Sequence, residues 1–162
     1  IQLSSVLKIY SSSRGLQSGR RRFLDMEISQ TSATYYHQLM QYNRLLQQRN
    51  AVLKEYRGKN TIPLEEWDLQ LADMASFIVK KRLESLKKIN LLIDLMNRKL
   101  TGGLENLTIG YEQPYMDNGS LEYTKEGFYE RIKAALPQDR HRLSTSVGPH
   151  RDDLRFFSDA MD

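Results

Sequence analysis

From Ser32 onward the apolar positions fall into helical order. Tyr35, Leu39, Tyr42, Leu46, Arg49, Leu53 and Tyr56 recur at alternating spacings of four and three, a heptad seam broken once by a basic residue. Ser32 suits the N-cap of this helix, Arg57 places a cation in its last turn, and Gly58 stands at the C′ position. After a short turn through Ile62, Pro63 with Glu65 and Glu66 opens a second helix, since proline suits a first turn and acids suit its dipole. Leu64, Trp67, Leu71, Met74 and Ile78 form its first seam. Val79, Leu83, Leu86, Ile93 and Leu100 continue it one position over, the drift of a 3.6-residue helix against a heptad grid. The pattern stops at Thr101-Gly102-Gly103. At 1.5 Å per residue the two helices are roughly 36 and 57 Å long. So short a turn makes them antiparallel. The pattern fits a projecting, coiled-coil-like arm with an overhang, and also the corner of a helical bundle.

After Gly103 the period changes to two. Leu107, Ile109 and Tyr111 alternate with Thr108, Gly110 and Glu112, a half-buried strand. Pro114 to Gly119 reads as a loop. Thr124 opens a short helix carrying Phe128, Ile132 and Leu136, with Pro137 as its expected stop. Leu143, Thr145 and Val147 predict a second strand, and Leu154 to Phe157 a third. The fold class expected is α+β and predominantly helical: an antiparallel two-helix hairpin arm plus a few strands. Three segments follow, a lead-in over residues 1–31, the arm over 32–103, and a strand–helix–strand segment over 104–162.

Composition narrows the function classes. Of 162 residues, 40% are hydrophobic and 27% charged, enough for a packed core and too ordered for general disorder. No apolar run reaches 18 residues, so no membrane-spanning helix and no membrane partner are expected. The start, Ile1-Gln2-Leu3-Ser4-Ser5-Val6-Leu7-Lys8, lacks the basic and apolar regions of a signal peptide. With no cysteine there are no disulfides, thiolate metal sites or thiol nucleophiles, which fits a cytoplasmic protein. Three histidines, His37, His141 and His150, show no metal-ligand spacing, and no glycine-rich phosphate loop precedes a Lys-Ser or Lys-Thr. Leu91-Leu92-Ile93-Asp94 superficially resembles a Walker B strand, but its neighbours continue a helical pattern, so it reads as a core-facing helix segment. No catalytic residue and no metal site are predicted within the chain.

The net charge of +4 permits a polyanionic partner, and its distribution says more than its size. Arg20, Arg21 and Arg22 stand together; Lys80, Lys81, Arg82, Lys87 and Lys88 line the second helix. Acids gather elsewhere, at Glu105, Glu112, Asp117, Glu122, Glu126 and Glu130. Such segregation suits contact with a phosphate backbone, although lysines on an exposed helix are also ordinary solvation. The densest chemistry lies in Gly148-Pro149-His150-Arg151-Asp152-Asp153, a rigid turn followed by four titratable side chains. Their crowding points to a ligand or to one another as partners.

That sextet, with Leu154 and Phe156, resembles the GPHRDD signature of the RecF family. Other stretches match in order: Arg20-Arg21-Arg22-Phe23-Leu24-Asp25 with Ser29-Gln30, Tyr42 with Gln48-Arg49-Asn50, Leu53-Lys54, and Trp67-Asp68-Leu69-Gln70-Leu71-Ala72. Residues 1–19 depart from the family pattern, with Ser11-Ser12-Ser13-Arg14-Gly15 before the arginines. The resemblance implies an internal fragment of an SMC-like ABC ATPase, the arm plus strands returning to the ATPase head, without the Walker A, Walker B or signature motifs. It implies a cytoplasmic parent that uses ATP and magnesium, dimerises on ATP, and binds double-stranded DNA at gaps or junctions. It also implies partnership with RecO and RecR in loading RecA during repair and recombination.

On that reading Arg20, Arg21, Arg22, Lys80, Lys81, Arg82, Lys87 and Lys88 are candidate DNA contacts. His150, Arg151, Asp152 and Asp153 are candidate supports of the nucleotide interface. No cofactor is expected in the fragment itself, and no ATP turnover by it alone, because phosphoryl transfer depends on positioning by the absent motifs. The alternative is a structural or protein-interaction hairpin that never touches DNA.

Overall fold

The computed structural model describes residues 17–101, 105–115 and 123–160. The lead-in before residue 17, the Gly102-Gly103 stop and Asp117, Gly119 and Glu122 lie outside the described residues. The elements are α1 (Gln17–Thr31), α2 (Ala33–Glu55), α3 (Glu65–Thr101), β1 (Glu105–Glu112), α4 (Lys125–Ala134), α5 (Leu136–Arg142) and β2 (Asp153–Ala160). Helix predominates, and the sheet has two antiparallel strands, as the fold class expected.

The chain divides into two compact units. Among the described residues, an arm unit holds 34–80, 113–115 and 123–151, and a strand unit holds 17–33, 81–101, 105–112 and 152–160. α3 contributes its first half to one and its second half to the other.

In the arm unit the heptad seam is fully buried at four of its seven positions, while Leu39, Leu46 and Tyr56 are half-buried. Tyr35, Tyr42, Arg49 and Leu53 of α2 are buried, as are Leu64, Leu71, Ala72, Ala75 and Ile78 of the facing segment. Tyr35 lies beside Phe77 while Arg49 lies beside Asp68, so the two helices run antiparallel. Gly58 turns the hairpin with a left-handed φ of 78°, the conformation that favours glycine at a C′ position. Thr124 caps α4 by accepting from the Gly127 N–H at 3.1 Å, and Phe128 and Ile132 are its buried face.

Two expectations fail here. Pro137 does not end α4: the helix closes at Ala134, and Pro137 sits in the first turn of α5, where its missing N–H costs nothing. Leu143, Thr145 and Val147 form no strand. Leu143 is the left-handed C-cap of α5 with φ 54°, and Thr145 and Val147 face inward from an irregular segment. The alternation is real, but it comes from burial without a pairing partner.

In the strand unit, β1 and β2 pair from Glu105 opposite Ala160 to Glu112 opposite Asp153. Asn90 of α3 holds β1 by both ends of its amide. It accepts from the Ile109 N–H and donates to the Ile109 carbonyl, each at 2.9 Å. Leu24 and Ile28 of α1 and Leu86, Ile89 and Ile93 of α3 are buried. The segment expected to face the core does so only at Ile93, because Leu91 and Leu92 lie on the outward side of the same helix turn.

Candidate functional site

An arginine within an apolar seam needs acids, and in the arm unit Arg49 has them. It is wholly enclosed. Its Nε donates to Asp68 at 2.6 Å, and its Nη1 donates to Asp139 at 2.7 Å and to the Thr145 hydroxyl at 3.0 Å. Nη2 has no hydrogen-bond partner among the described residues. Burial pushes the Asp68 carboxyl above its ordinary range, and the Arg49 charge opposes that rise.

Thr145 gathers the rest of the cluster. Its N–H and hydroxyl both reach the Asn50 side-chain oxygen at 2.8 Å. Its carbonyl accepts from His150 Nε2 at 3.0 Å and from Arg151 Nε and Nη2 at 3.1 and 2.8 Å. A ring nitrogen facing a carbonyl carries the hydrogen, so in the neutral ring Nδ1 accepts from the Tyr42 hydroxyl at 2.7 Å. Asp139, Thr145 and Asn50 escaped sequence reasoning as members of a site; the lone arginine in the heptad was the signal that carboxylates must converge on it.

The strand unit holds a second cluster. Arg20 of α1 grips Asp153 with both ends of its fork, Nε to Oδ1 at 3.0 Å and Nη2 to Oδ2 at 2.5 Å. That bond raises the Arg20 pKa. Arg21 Nη1 donates to the Asp152 carbonyl at 2.6 Å. Burial, and then the charge of Arg82, lower the Arg21 pKa. Arg82 of α3 is only 2% exposed and forks onto Asp25 of α1 at 2.8 and 2.9 Å. Its Nη1 also donates to the Tyr111 hydroxyl at 3.2 Å, and that hydroxyl donates in a short bond to the buried Asp152 carboxylate. Enclosure raises the Tyr111 pKa well above the ordinary phenol value.

The candidate DNA residues therefore separate by environment. Arg22, Lys80, Lys87 and Lys88 are exposed and have no ion-pair partner among the described residues. Lys81 pairs with Glu84 at 3.0 Å on the helix surface. Arg20, Arg21 and Arg82 instead bind groups of their own unit. Of the four interface candidates, His150 and Arg151 are tied to Thr145, while Asp152 and Asp153 are held by Tyr111 and the α1 arginines. No group of side chains among the described residues could hold a metal ion, and none of their helices is long and apolar enough to cross a membrane.

No family model matches the chain. It is nevertheless 41% identical over 147 residues to the DNA replication and repair protein RecF of Alkaliphilus oremlandii (strain OhILAs), covering 90% of this chain and 40% of that protein. Identity to RecF of Clostridium botulinum (strain Eklund 17B / Type B) is 40% over 156 residues, 96% of this chain and 41% of that one. A solved structure of the recombination mediator protein RecF-ATP in the RecFOR pathway matches with a TM-score of 0.81 at 29% identity, covering 100% of this chain and 43% of its own. The corresponding RecF-ATPrS structure matches at 0.82 and 28%.

Over nine-tenths or more of its length the chain is similar to RecF. It spans about 40% of the length of the curated relatives it matches. Within this chain two stretches distant in sequence meet, since the Arg20-Arg21 pair of α1 clamps Asp152 and Asp153 at the head of β2. The Gln48-Arg49-Asn50 and Trp67-Asp68 stretches likewise converge, on Asp139 and Thr145.

Proposed function

We propose that this chain is the arm-bearing segment of a RecF-type DNA replication and repair protein, and that its exposed cations bind the phosphate backbone of double-stranded DNA at gaps or junctions. The observation that carries the reading is the likeness to RecF over nine-tenths or more of the chain. Lys80 of the arm unit and Lys87 of the strand unit support the DNA half: both are exposed. Arg22 and Lys88 are exposed as well. Arg20, Arg21 and Arg82 act by holding their unit together, as their partners indicate.

The intact protein, on this reading, is a cytoplasmic ATPase that takes ATP and magnesium, dimerises on ATP, and works with RecO and RecR to load RecA. His150, Arg151, Asp152 and Asp153 would serve the nucleotide interface indirectly. Each is engaged with its own chain, so their part is to fix the turn that positions neighbouring groups rather than to grip a phosphate. A second reading, a hairpin that serves structure or protein interaction alone, draws on the inward engagement of three of the eight cations.

Fluorescence anisotropy with duplex and gapped DNA at increasing salt separates the two. A DNA-contacting arm gives affinity that falls linearly in log–log form with salt, and Lys80→Glu with Lys87→Glu reduces the slope by about 1–2. Salt-independent or undetectable binding, unchanged in the double variant, favours the purely structural hairpin.

A further inference from the structure

The arm unit carries a surface that neither the exposed lysines nor the Arg49 cluster uses. Over residues 28–54 the sequence has no acid, and α2 reaches its first carboxylate only at its last residue, Glu55. Its exposed polar positions are mostly amides, Gln41, Asn43, Gln47 and Gln48, with Arg44 among them. A helix that meets only water gains from carboxylates paired with its cations at i, i+4. A helix approached by a polyanion is better without them, because like charges brought together are costly.

Gln41, Arg44 and Gln48 stand at i, i+3 and i+7, on one face of α2. With Leu45, and with Gln70 and Met74 of α3, they line a groove of about 250 Å³ within the arm unit. Leu45 and Met74 are the less exposed pair and form its floor; the four polar side chains form its rim. No carboxylate lines it, and the neighbouring acids of α3, Glu66 and Asp73, stand outside the lining. Gln41 is bonded to His37 at 2.9 Å. Arg44, Gln48 and Gln70 have no side-chain partner among the described residues.

Three properties of this groove fit one ligand chemistry. Its rim amides both donate and accept, as the edge of a nucleobase does. Its floor is apolar and includes a polarisable thioether, against which a flat ring can lie. Its one charge is an unpaired guanidinium, the group that grips a phosphate with a fork. Pockets for whole small molecules run to about 300–1,000 Å³, so this space suits a single base with its phosphate left at the rim. A base inside a duplex is stacked and cannot enter a concavity; an unpaired one can leave the stack at small cost.

We propose that the Gln41–Gln48–Gln70 groove of the arm seats one unpaired nucleobase of gapped DNA, with Arg44 on the adjoining phosphate. The proposal rests on DNA being the partner. It adds what a gap offers and a duplex does not, a base free to turn outward.

Three fluorescent DNAs test it on the full-length polypeptide that contains this chain: an intact duplex, a duplex with a short thymine gap, and one whose gap is abasic. The thymine gap should bind more tightly than the other two. Gln48→Glu with Gln70→Glu, isosteric changes at exposed positions, should weaken the thymine gap about 10-fold and the other two less than about 2-fold.

A variant that keeps the parent's preference for the thymine gap, or that loses all three DNAs alike, overturns the proposal. So does a parent that binds the abasic gap as tightly, since phosphates and flexibility then suffice. No binding to any of the three removes the DNA reading itself, and this inference with it. Photocrosslinking of a 4-thiothymine gap to the unsubstituted protein needs no variant to fold. Adducts on residues 41–48 or 70–74 are expected, and adducts confined to other peptides overturn the seat.

Discussion

The hydroxyl of Tyr42 occupies the space into which a side chain at position 148 would grow. A Cβ built on Gly148 collides with it, and Gly148 has a φ of 133°, where only glycine is at ease. A seam residue of the arm and the first residue of the Gly148–Asp153 turn are thus fitted to each other, with His150 bonded to the same hydroxyl.

Gly148→Ala is expected to destabilise the protein by about 2–4 kcal/mol, from strain and collision together. Tyr42→Phe alone costs about 1–3 kcal/mol, through the lost bond to His150. Because removing the hydroxyl opens the space, the double variant is less destabilised than the sum of the two. Urea denaturation of all four proteins measures the coupling, and strict additivity contradicts the fit.

The Arg49 cluster makes a sharper prediction. Arg49→Met leaves Asp68 and Asp139 as buried, unpartnered carboxylates and is expected to cost about 3–5 kcal/mol. Adding Asp68→Asn and Asp139→Asn to that variant should recover part of the loss by removing the stranded charge. If the triple variant melts lower than Arg49→Met by itself, charge burial is not the source of the cost.

Tyr111 predicts an alkaline signature. Its phenol is held neutral above the ordinary value of 10.0. Its stabilising contribution is therefore fully present below pH 10 and is lost as pH climbs through the higher folded value. Tyr111→Phe should narrow its stability deficit relative to the parent as pH rises past 10. Absorbance titration at 295 nm should show one late-ionising tyrosine that this variant lacks. A late step that survives the substitution belongs to another tyrosine.

Arg82 and the exposed lysines should separate cleanly. Arg82→Lys keeps the charge but loses the fork onto Asp25 and the bond to Tyr111, at an expected cost of about 1.5–3 kcal/mol. Lys80→Glu with Lys87→Glu should leave the melting temperature within about 2 °C of the parent while weakening DNA binding. Differential scanning fluorimetry beside anisotropy reads both; a large melting shift in the lysine variant would show that these residues are structural.

Much of the arm was legible because its periodicity is long and strict. The 4-3-4-3 spacing from Tyr35 to Tyr56 located α2, and proline with two glutamates located the start of α3 within two residues. β1 and β2 were legible for a simpler reason: each alternates and each has a partner. α1 was not, because only Leu24 and Ile28 among its described side chains are buried, too few for a seam, and its arginines drew attention as surface charge. The irregular run over 143–147 fooled the alternation rule because Thr145 and Val147 are buried without a strand to pair with, Thr145 being held by Arg49 and Asn50 of a helix. Charge clustering picked out the arginines and gave no means of sorting them. Arg20, Arg21 and Arg82 differ from Arg22 only in having Asp25, Asp152 and Asp153 nearby, and those meetings span 57 to 133 positions of sequence.

Asn90 has a consequence beyond holding a strand in place. Its amide offers Ile109 the acceptor and the donor that one residue of a neighbouring strand would offer, and so fills one rung of a ladder with a side chain. At that rung the strand cannot recruit a stranger's backbone, so the helix acts as a guard against edge-to-edge aggregation. Aspartate in its place could accept but not donate, leaving the Ile109 carbonyl open to the next chain that arrives.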